Sequence, residues 1–293
     1  MSEAQTVFSC EGGGMRSVFG GGVTRVLAEA NIYQKVRGVI GASAGTLNAL
    51  TFVSGATERT LGVYQDFARS GSIDRQYLLS ALASRFRQKI LGRKHTGRGV
   101  IDIESVINCV HRAGLTVEGV RQQKIEFLVR CLNVKRGRQE YFDMHTHPEP
   151  VQVIADSISA VPYCTPSPRH KDYIDPMIQV PIAITPLLER YKAEQIVVIS
   201  NSPPRHYSSL RGVLTQVLHG VFSLDWRLLR HYVGKRRIGE REMKRAIESE
   251  RVIFVGPPDD YPMTNSTTDL KKIRAGFDAG RRAGDALLKR MGL

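Results

Sequence analysis

One pentapeptide constrains this chain more than any other: Gly41-Ala42-Ser43-Ala44-Gly45, set between the apolar run Val36–Ile40 and a helical pattern over Ala44–Val53 that Gly55 closes. A strand that turns into a helix this abruptly brings its neighbouring side chains into collision, hence glycine at 41 and 45. The turn strains the serine backbone and presents its hydroxyl at the helix N-terminus. There the helix dipole and free N–H groups favour developing negative charge. Ser43 is therefore a candidate nucleophile. The bland alternative is an ordinary strand-to-helix turn, and the apolar strand before and amphipathic helix after weigh against it.

A second glycine motif precedes the first. Residues 6–10 read as a strand, Gly12-Gly13-Gly14-Met15-Arg16-Ser17 as a loop, and Val18–Ala30 as a helix with Val23, Val26 and Leu27 at helical spacing. Strand, helix and strand at this spacing form a parallel βαβ unit with a right-handed crossover. Three glycines after a strand leave backbone N–H groups bare and able to converge on one ligand atom. Gly12-x-Gly14 also resembles the start of a dinucleotide loop. However, Ser17 stands where the third glycine belongs, and the next strand ends in the serine turn rather than in an acidic residue. An oxyanion hole formed by Gly12, Gly13 and Gly14 and facing Ser43 accounts for both motifs.

The rest of the chain alternates in the same manner. Residues 56–120 look helical, interrupted by a basic loop carrying Gly92, Gly97 and Gly99. Ile125–Leu132 reads as a strand with Arg138–Met144 returning as its hairpin partner, followed by a helix over Val151–Ala160 and a proline-rich loop, Pro162–Pro168. Asp172–Asp175 is a short strand; Ile196–Ile199 and Arg251–Val255 are buried ones. Between the last two lies a helical region, about 206–249, whose Leu210, Val213, Leu214, Val217, Leu218, Val221 and Phe222 form an apolar stripe. A final helix covers about 267–291. The expectation is an α/β fold with three layers, α/β/α, around a mostly parallel central sheet, with helical insertions. It forms one domain over 5–293, with a motif-bearing core of about 5–200 and a helical portion of about 206–293.

Composition narrows the setting. No stretch of the 293 residues approaches the roughly 20 apolar residues of a membrane span, and the N-terminus lacks the pattern of a secretory signal. Cys10, Cys109, Cys131 and Cys164 are scattered and form no CxxC pair, so buried thiols in a reducing compartment are expected. The net charge of +14 is unevenly spread, concentrated in segments 85–98 and 227–245. Such segments suit an anionic partner. They lack the interleaved aromatics of a nucleic-acid surface, while an anionic lipid surface and a plain solvated face both stay open at this point.

With these residues in view a resemblance emerges. Glu11-Gly12-Gly13-Gly14-Met15-Arg16 followed by Gly41-Ala42-Ser43-Ala44-Gly45 resembles the signature pair of the patatin-like phospholipases, the bacterial branch above all. Ser159-Ala160-Val161-Pro162 is similar to that family's small-residue and proline turn, and Tyr173-Ile174-Asp175 to the segment bearing its catalytic aspartate. The resemblance implies a patatin-like fold and an intracellular lipid acyl hydrolase, of phospholipase A or lysophospholipase type. It implies a Ser43–Asp175 dyad, an acyl-enzyme intermediate, and neither cofactor nor metal. It also implies a lipid or small ester substrate and a cytoplasmic location, with peripheral contact at the inner membrane surface through the basic segments. Arg16 would meet a substrate phosphate or orient the loop, a structural salt bridge being the equal alternative. One departure stands out. The family follows its aspartate with Gly-Gly or Gly-Ala, whereas here Pro176-Met177 follows Asp175, so the turn must be built differently. Asp172 is the nearby substitute for the base.

Three rival readings share these residues. A Ser–His–Asp esterase would draw on His145, His147, His170, His206, His219 or His231, and Asp143 with His145 and His147 also sketches a metal site. A catalytically impaired membrane or protein adaptor would use the basic segments and the 210–222 stripe.

Overall fold

The computed structural model describes residues 5–71, 73, 102–160, 164, 172–180, 182–192, 194–203 and 226–293. Strands β1 (Thr6–Cys10), β2 (Val36–Ala42), β3 (Glu126–Asn133), β4 (Arg138–Asp143), β5 (Tyr173–Ile174), β6 (Gln195–Ile199) and β7 (Val252–Val255) form one sheet. Its order is β4-β3-β2-β1-β6-β7, with β5 also on β3. The β3–β2–β1–β6–β7 run is parallel throughout, while β4 and β5 are antiparallel to β3. The expected hairpin of β3 and β4 is thus present.

The helices are α1 (Val18–Glu29), α2 (Gly45–Val53), α3 (Thr60–Arg69), α4 (Ile103–Arg112), α5 (Val117–Arg121), α6 (Pro150–Ser157), α7 (Thr185–Arg190), α8 (Trp226–Glu248) and α9 (Leu270–Arg290). Strand alternation sorts the core into two layers. Phe8, Val39, Val129, Val197 and Ile253 pack with Phe19 and Val23 of α1, Leu50 of α2 and Leu287 of α9. Val7, Ile40, Leu128, Ile196 and Val252 pack on the other face against Leu187 of α7 and Ala246 of α8. Helices therefore cover both faces of a mostly parallel sheet, as the alternating pattern predicts.

The C-terminal helix is tied into the first motif's layer. Gly22 of α1 and Gly280 of α9 face each other so closely that a Cβ on Gly280 would lie 1.9 Å from the Phe19 carbonyl oxygen. The segment before α9 reaches back as well: Asn265 O accepts the Met15 N–H at 3.0 Å. The four cysteines are all buried and outside any disulfide. The basic segment 85–98, the apolar stripe 210–222 and most of the proline-rich loop lie outside the described residues.

Sheet topology also prepares a meeting point. β2 pairs with β3 as far as Ala42 opposite Arg130. Beyond it, on an edge that β4 does not occupy, β5 pairs with β3 through Ile174 opposite Leu132. Because β2 is parallel and β5 antiparallel to β3, the two run toward each other along one edge. Ser43 follows the end of one and Asp175 the end of the other.

Candidate active site

Ser43 occupies the left-handed region at φ 53, one of two non-glycine residues to do so among those described. For a residue with a Cβ this costs on the order of 1–3 kcal/mol, so surrounding structure must hold it there. Three bonds do. Ser43 N–H donates to Ser157 Oγ at 3.0 Å, Ser157 Oγ donates to the Arg130 carbonyl at 2.9 Å, and the Ser43 carbonyl accepts from Thr46 N at 2.9 Å. Ser157, at the end of α6, therefore staples the elbow to β3.

The Ser43 hydroxyl donates to Asp175 Oδ2 at 2.6 Å. Both side chains are buried, Ser43 being 8% and Asp175 2% exposed. Asp172, the substitute considered from sequence, is exposed in the turn before β5, where its carbonyl accepts from Val134 N. Burial pushes the Asp175 carboxyl up to about 6, held back from rising further chiefly by the hydrogen bond from Ser43.

The departure at Pro176-Met177 is solved by a different turn. Asp175 caps a short 3₁₀ turn, Pro176–Ile178, its Oδ1 accepting the Met177 N–H at 2.8 Å. Its ψ of 121 is the extended value that a following proline enforces. Pro176 fills the first helical position, where its missing N–H costs nothing. Asp175 N–H in turn donates to Ser159 O at 3.2 Å, which gives the Ser159-Ala160 turn a part in placing the carboxylate.

The glycine loop closes on the same serine. A Cβ on Gly12 would lie 2.5 Å from Ser43 Cβ and 3.0 Å from its Oγ. Gly14, at φ 56, turns the chain into α1 beside the Asn265 carbonyl. Asn201 ties the loop's two ends, donating through Nδ2 to Glu11 O and accepting from Gly20 N–H at 2.9 Å. Arg16 follows the loop, and its carbonyl accepts from the Tyr261 hydroxyl at 3.1 Å.

Beneath the loop lies a charge pair that the sequence does not announce. Glu11 and Arg130, each 1% exposed, meet at 2.6 Å between Oε2 and Nη2. Burial pushes the Glu11 carboxyl upward, and the Arg130 charge and the Ser9 hydroxyl, 2.9 Å away, oppose that rise. The same Nη2 lies 3.7 Å from Met177 Sδ. Arg130 thus touches the residue before Gly12, the turn after Asp175 and, through its carbonyl, the staple on Ser43.

The histidines stand elsewhere. Among the described residues the Ser43 hydroxyl bonds to Asp175 and to no histidine. His231 Nδ1 lies 3.0 Å from Gln179 Nε2, His145 Nε2 lies 2.8 Å from Ile125 O, and His147 Nδ1 accepts from Glu149 N. His170, His206 and His219 fall outside the described residues. No group of three potential metal ligands occurs among the described residues, His145 and His147 included. No described helix is long and apolar enough to cross a membrane.

Residues missed by sequence reasoning are Ser157, Arg130 and Asn201. Asn201 alone carried a signal, as a polar residue just past the carboxyl end of a buried strand, where parallel sheets build their sites.

The sequence has no match among curated proteins. Among solved structures, VipD from Legionella pneumophila is similar over 97% of this chain and 67% of its own, at 12% identity and a TM-score of 0.48. The type III effector protein ExoU is similar over 98% of this chain and 53% of its own, at 12% identity and a TM-score of 0.42. The heterodimeric ExoU–SpcU complex from the type III secretion system of Pseudomonas aeruginosa gives 15% identity and a TM-score of 0.38 over 99% and 52%. The chain thus spans about half the length of the ExoU chains it matches. A family profile, patatin-like phospholipase, matches residues 8–175, a span that holds both glycine motifs and ends on Asp175. With more than half of its length so matched, the chain belongs to the patatin-like phospholipase family.

Proposed function

We propose that this protein is a lipid acyl hydrolase that works through a Ser43–Asp175 dyad. The observation that carries the reading is the 2.6 Å bond between Ser43 Oγ and Asp175 Oδ2, with Gly12 packed against the same serine. Ser43 Oγ attacks the ester carbonyl carbon while its proton passes to Asp175 Oδ2. The N–H groups of the Gly12–Gly14 loop receive the charge that develops on the carbonyl oxygen. Collapse of the tetrahedral intermediate expels the alcohol, which takes the proton from Asp175 and leaves an acyl group on Ser43. Water then attacks that ester, gives its proton to Asp175, and the carboxylic acid departs as Ser43 recovers its hydrogen. No net charge or proton is left on the protein.

The buried, raised carboxyl of Asp175 supports its role as base, since such a group accepts a proton more readily than an exposed aspartate. Arg16 is placed by this reading near the substrate's polar end. Exposed Arg237, Arg241 and Lys244 on α8 would contribute contact with an anionic membrane, together with segment 85–98. The test is hydrolysis of a panel of defined phospholipids and neutral glycerides by wild type, Ser43→Ala and Asp175→Asn, with a fluorophosphonate probe on folded protein. Loss of hydrolysis in both variants and labelling confined to Ser43 are expected. A folded wild type that the probe leaves unlabelled would sink the reading.

A further inference from the structure

Arg130 stands where the parts of the site converge. In the β2–β3 register it lies opposite Ala42, the residue before Ser43. Two residues on, Leu132 lies opposite Ile174, the residue before Asp175. Strand alternation turns the Arg130 side chain to the same face as Leu128 and Leu132, both buried in apolar clusters. A cation enters such a layer only with a partner, and Glu11 supplies it at 2.6 Å.

Stability does not account for the pair. Desolvating two charges offsets most of their attraction, and well-packed apolar residues in their place are commonly neutral or stabilising. Arg130 is costlier still than a fully satisfied ion pair, because its Nε and Nη1 are buried and bond to no described residue. Its contribution lies in what the guanidinium holds.

What it holds is the root of the glycine loop. Glu11 is fixed at each of its polar groups. Its N–H donates to Ile199 O at 3.0 Å and its carbonyl accepts from Asn201 Nδ2. Oε1 accepts from Ser9 Oγ at 2.9 Å, and Oε2 from Arg130 Nη2. Gly12 leaves this anchored residue with no Cβ to limit its own conformation. A second contact reaches the same glycine. Nη2 lies 3.7 Å from Met177 Sδ, and a Cβ on Gly12 would meet Met177 Cγ at 2.9 Å. Met177 is thus wedged between the guanidinium and Gly12, while its N–H caps Asp175 at 2.8 Å. An oxyanion hole is effective because its donors are fixed before charge develops, and a glycine loop must borrow that fixity from its neighbours.

We propose that Arg130 is a positioning residue for hydrolysis: through Glu11 and Met177 its guanidinium holds the Gly12 peptide in the geometry that receives the oxyanion formed at Ser43. The proposal rests on the hydrolase reading and adds to it a buried residue that touches no substrate. Changing the side chain leaves the support of Ser43 in place, since the Arg130 carbonyl that accepts from Ser157 belongs to the backbone.

The experiment separates positioning from stability. Glu11→Gln combined with Arg130→Met removes both charges, so neither is left unpaired. Wild type and this double variant are compared for kcat and KM on p-nitrophenyl butyrate. Inhibition is measured with decyl trifluoromethyl ketone and with the corresponding alcohol. Ser43 Oγ adds to the ketone carbonyl carbon as its proton passes to Asp175, and the carbonyl oxygen becomes an oxyanion; the alcohol forms none. The double variant is expected to lose about ten- to a hundredfold in kcat with KM within about threefold, and to lose ketone affinity in step while binding the alcohol unchanged. Wild-type kcat and ketone affinity in the double variant would overturn the proposal and leave Arg130 a part of the fold alone. A rise in KM with weaker alcohol binding at constant kcat overturns it too. Where the double variant does not fold, Arg130→Lys takes its place. It keeps a cation beside Glu11, but its unforked head does not serve Glu11 and Met177 together, so kcat and ketone affinity should fall in step by about three- to tenfold. Wild-type values there overturn the proposal. If wild type neither hydrolyses the ester nor takes up a fluorophosphonate at Ser43, the hydrolase reading itself fails and this role with it.

Discussion

Met177 N–H donates to Oδ1 of Asp175 at 2.8 Å, which leaves Oδ2 free to accept from Ser43 at 2.6 Å. One carboxylate therefore divides its oxygens between building its own turn and holding the serine. A proline after the aspartate would be harmful if the turn relied on glycine's freedom. It is harmless at the first position of a capped 3₁₀ turn, which needs the fixed φ and no N–H.

Pro176→Gly tests that account. The Met177 N–H bond survives the change, so hydrolysis is expected to stay within about threefold of wild type. Stability should fall by about 0.4–1 kcal/mol, because glycine enlarges the freedom of the unfolded chain. Thermal unfolding and ester turnover measured together check both. A loss of hydrolysis above about a hundredfold would mean that the proline ring itself sets the carboxylate.

Asp175 should also trade stability for function. Its carboxyl is raised from the ordinary 3.8 to about 6 by burial. A group so raised binds its proton more tightly in the folded chain, so its contribution favours folding at low pH and is lost as pH climbs through about 6. Holding it ionised at pH 7 costs the fold roughly 3 kcal/mol, from about two pKa units. Asp175→Asn is expected to abolish hydrolysis yet raise the unfolding free energy at pH 7 by roughly 1–3 kcal/mol, and by far less at pH 4. Urea unfolding at the two pH values decides it; an equal gain at both would contradict the assignment.

Activity carries the complementary sign. The base must be ionised to accept the serine proton, so kcat/KM on a neutral ester should rise with pH and level off above about 6. A rate independent of pH between about 5 and 7 would remove Asp175 from the role of base.

The Glu11–Arg130 pair predicts non-additivity. Arg130→Met leaves Glu11 as an unpaired buried charge under the glycine loop, which typically costs about 3–5 kcal/mol. Glu11→Gln combined with Arg130→Met removes both charges and is expected to recover most of that loss. A double-mutant cycle by denaturant unfolding measures the coupling. Additive losses would show that the two side chains act independently.

How much of this was legible follows from distance along the chain. Both glycine motifs announce themselves because their chemistry is local: each is a strand end, a turn and a helix start within a few residues. The mostly parallel sheet around them follows from alternation of apolar runs and helices, and the neighbouring place of β4 from its short hairpin with β3. Arg130 is the opposite case. Within Phe127-Leu128-Val129-Arg130-Cys131 an arginine reads as a solvent-facing interruption, and only the sheet brings it to Glu11, 119 residues away. The Pro176 departure was visible, but its remedy was not, since a side-chain cap depends on the rotamer of Asp175 rather than on residue type.

Ser157 carries the last prediction. Ser43 holds φ 53 only while its N–H is engaged, and the engaging atom is a side-chain oxygen itself fixed by the Arg130 carbonyl at 2.9 Å. Ser157→Ala removes the staple without disturbing Asp175, Gly12 or the turn residues themselves. The buried Ser43 N–H then lacks its partner, at a cost of about 1–3 kcal/mol, and the elbow gains freedom to leave its strained conformation. Both effects lower the fraction of molecules whose hydroxyl points at Asp175. The expected signature is a fall in kcat and in the fluorophosphonate labelling rate by one to two orders of magnitude, with KM little changed. A rise in KM at constant kcat would instead place Ser157 in substrate binding, and the staple would not be what positions the nucleophile.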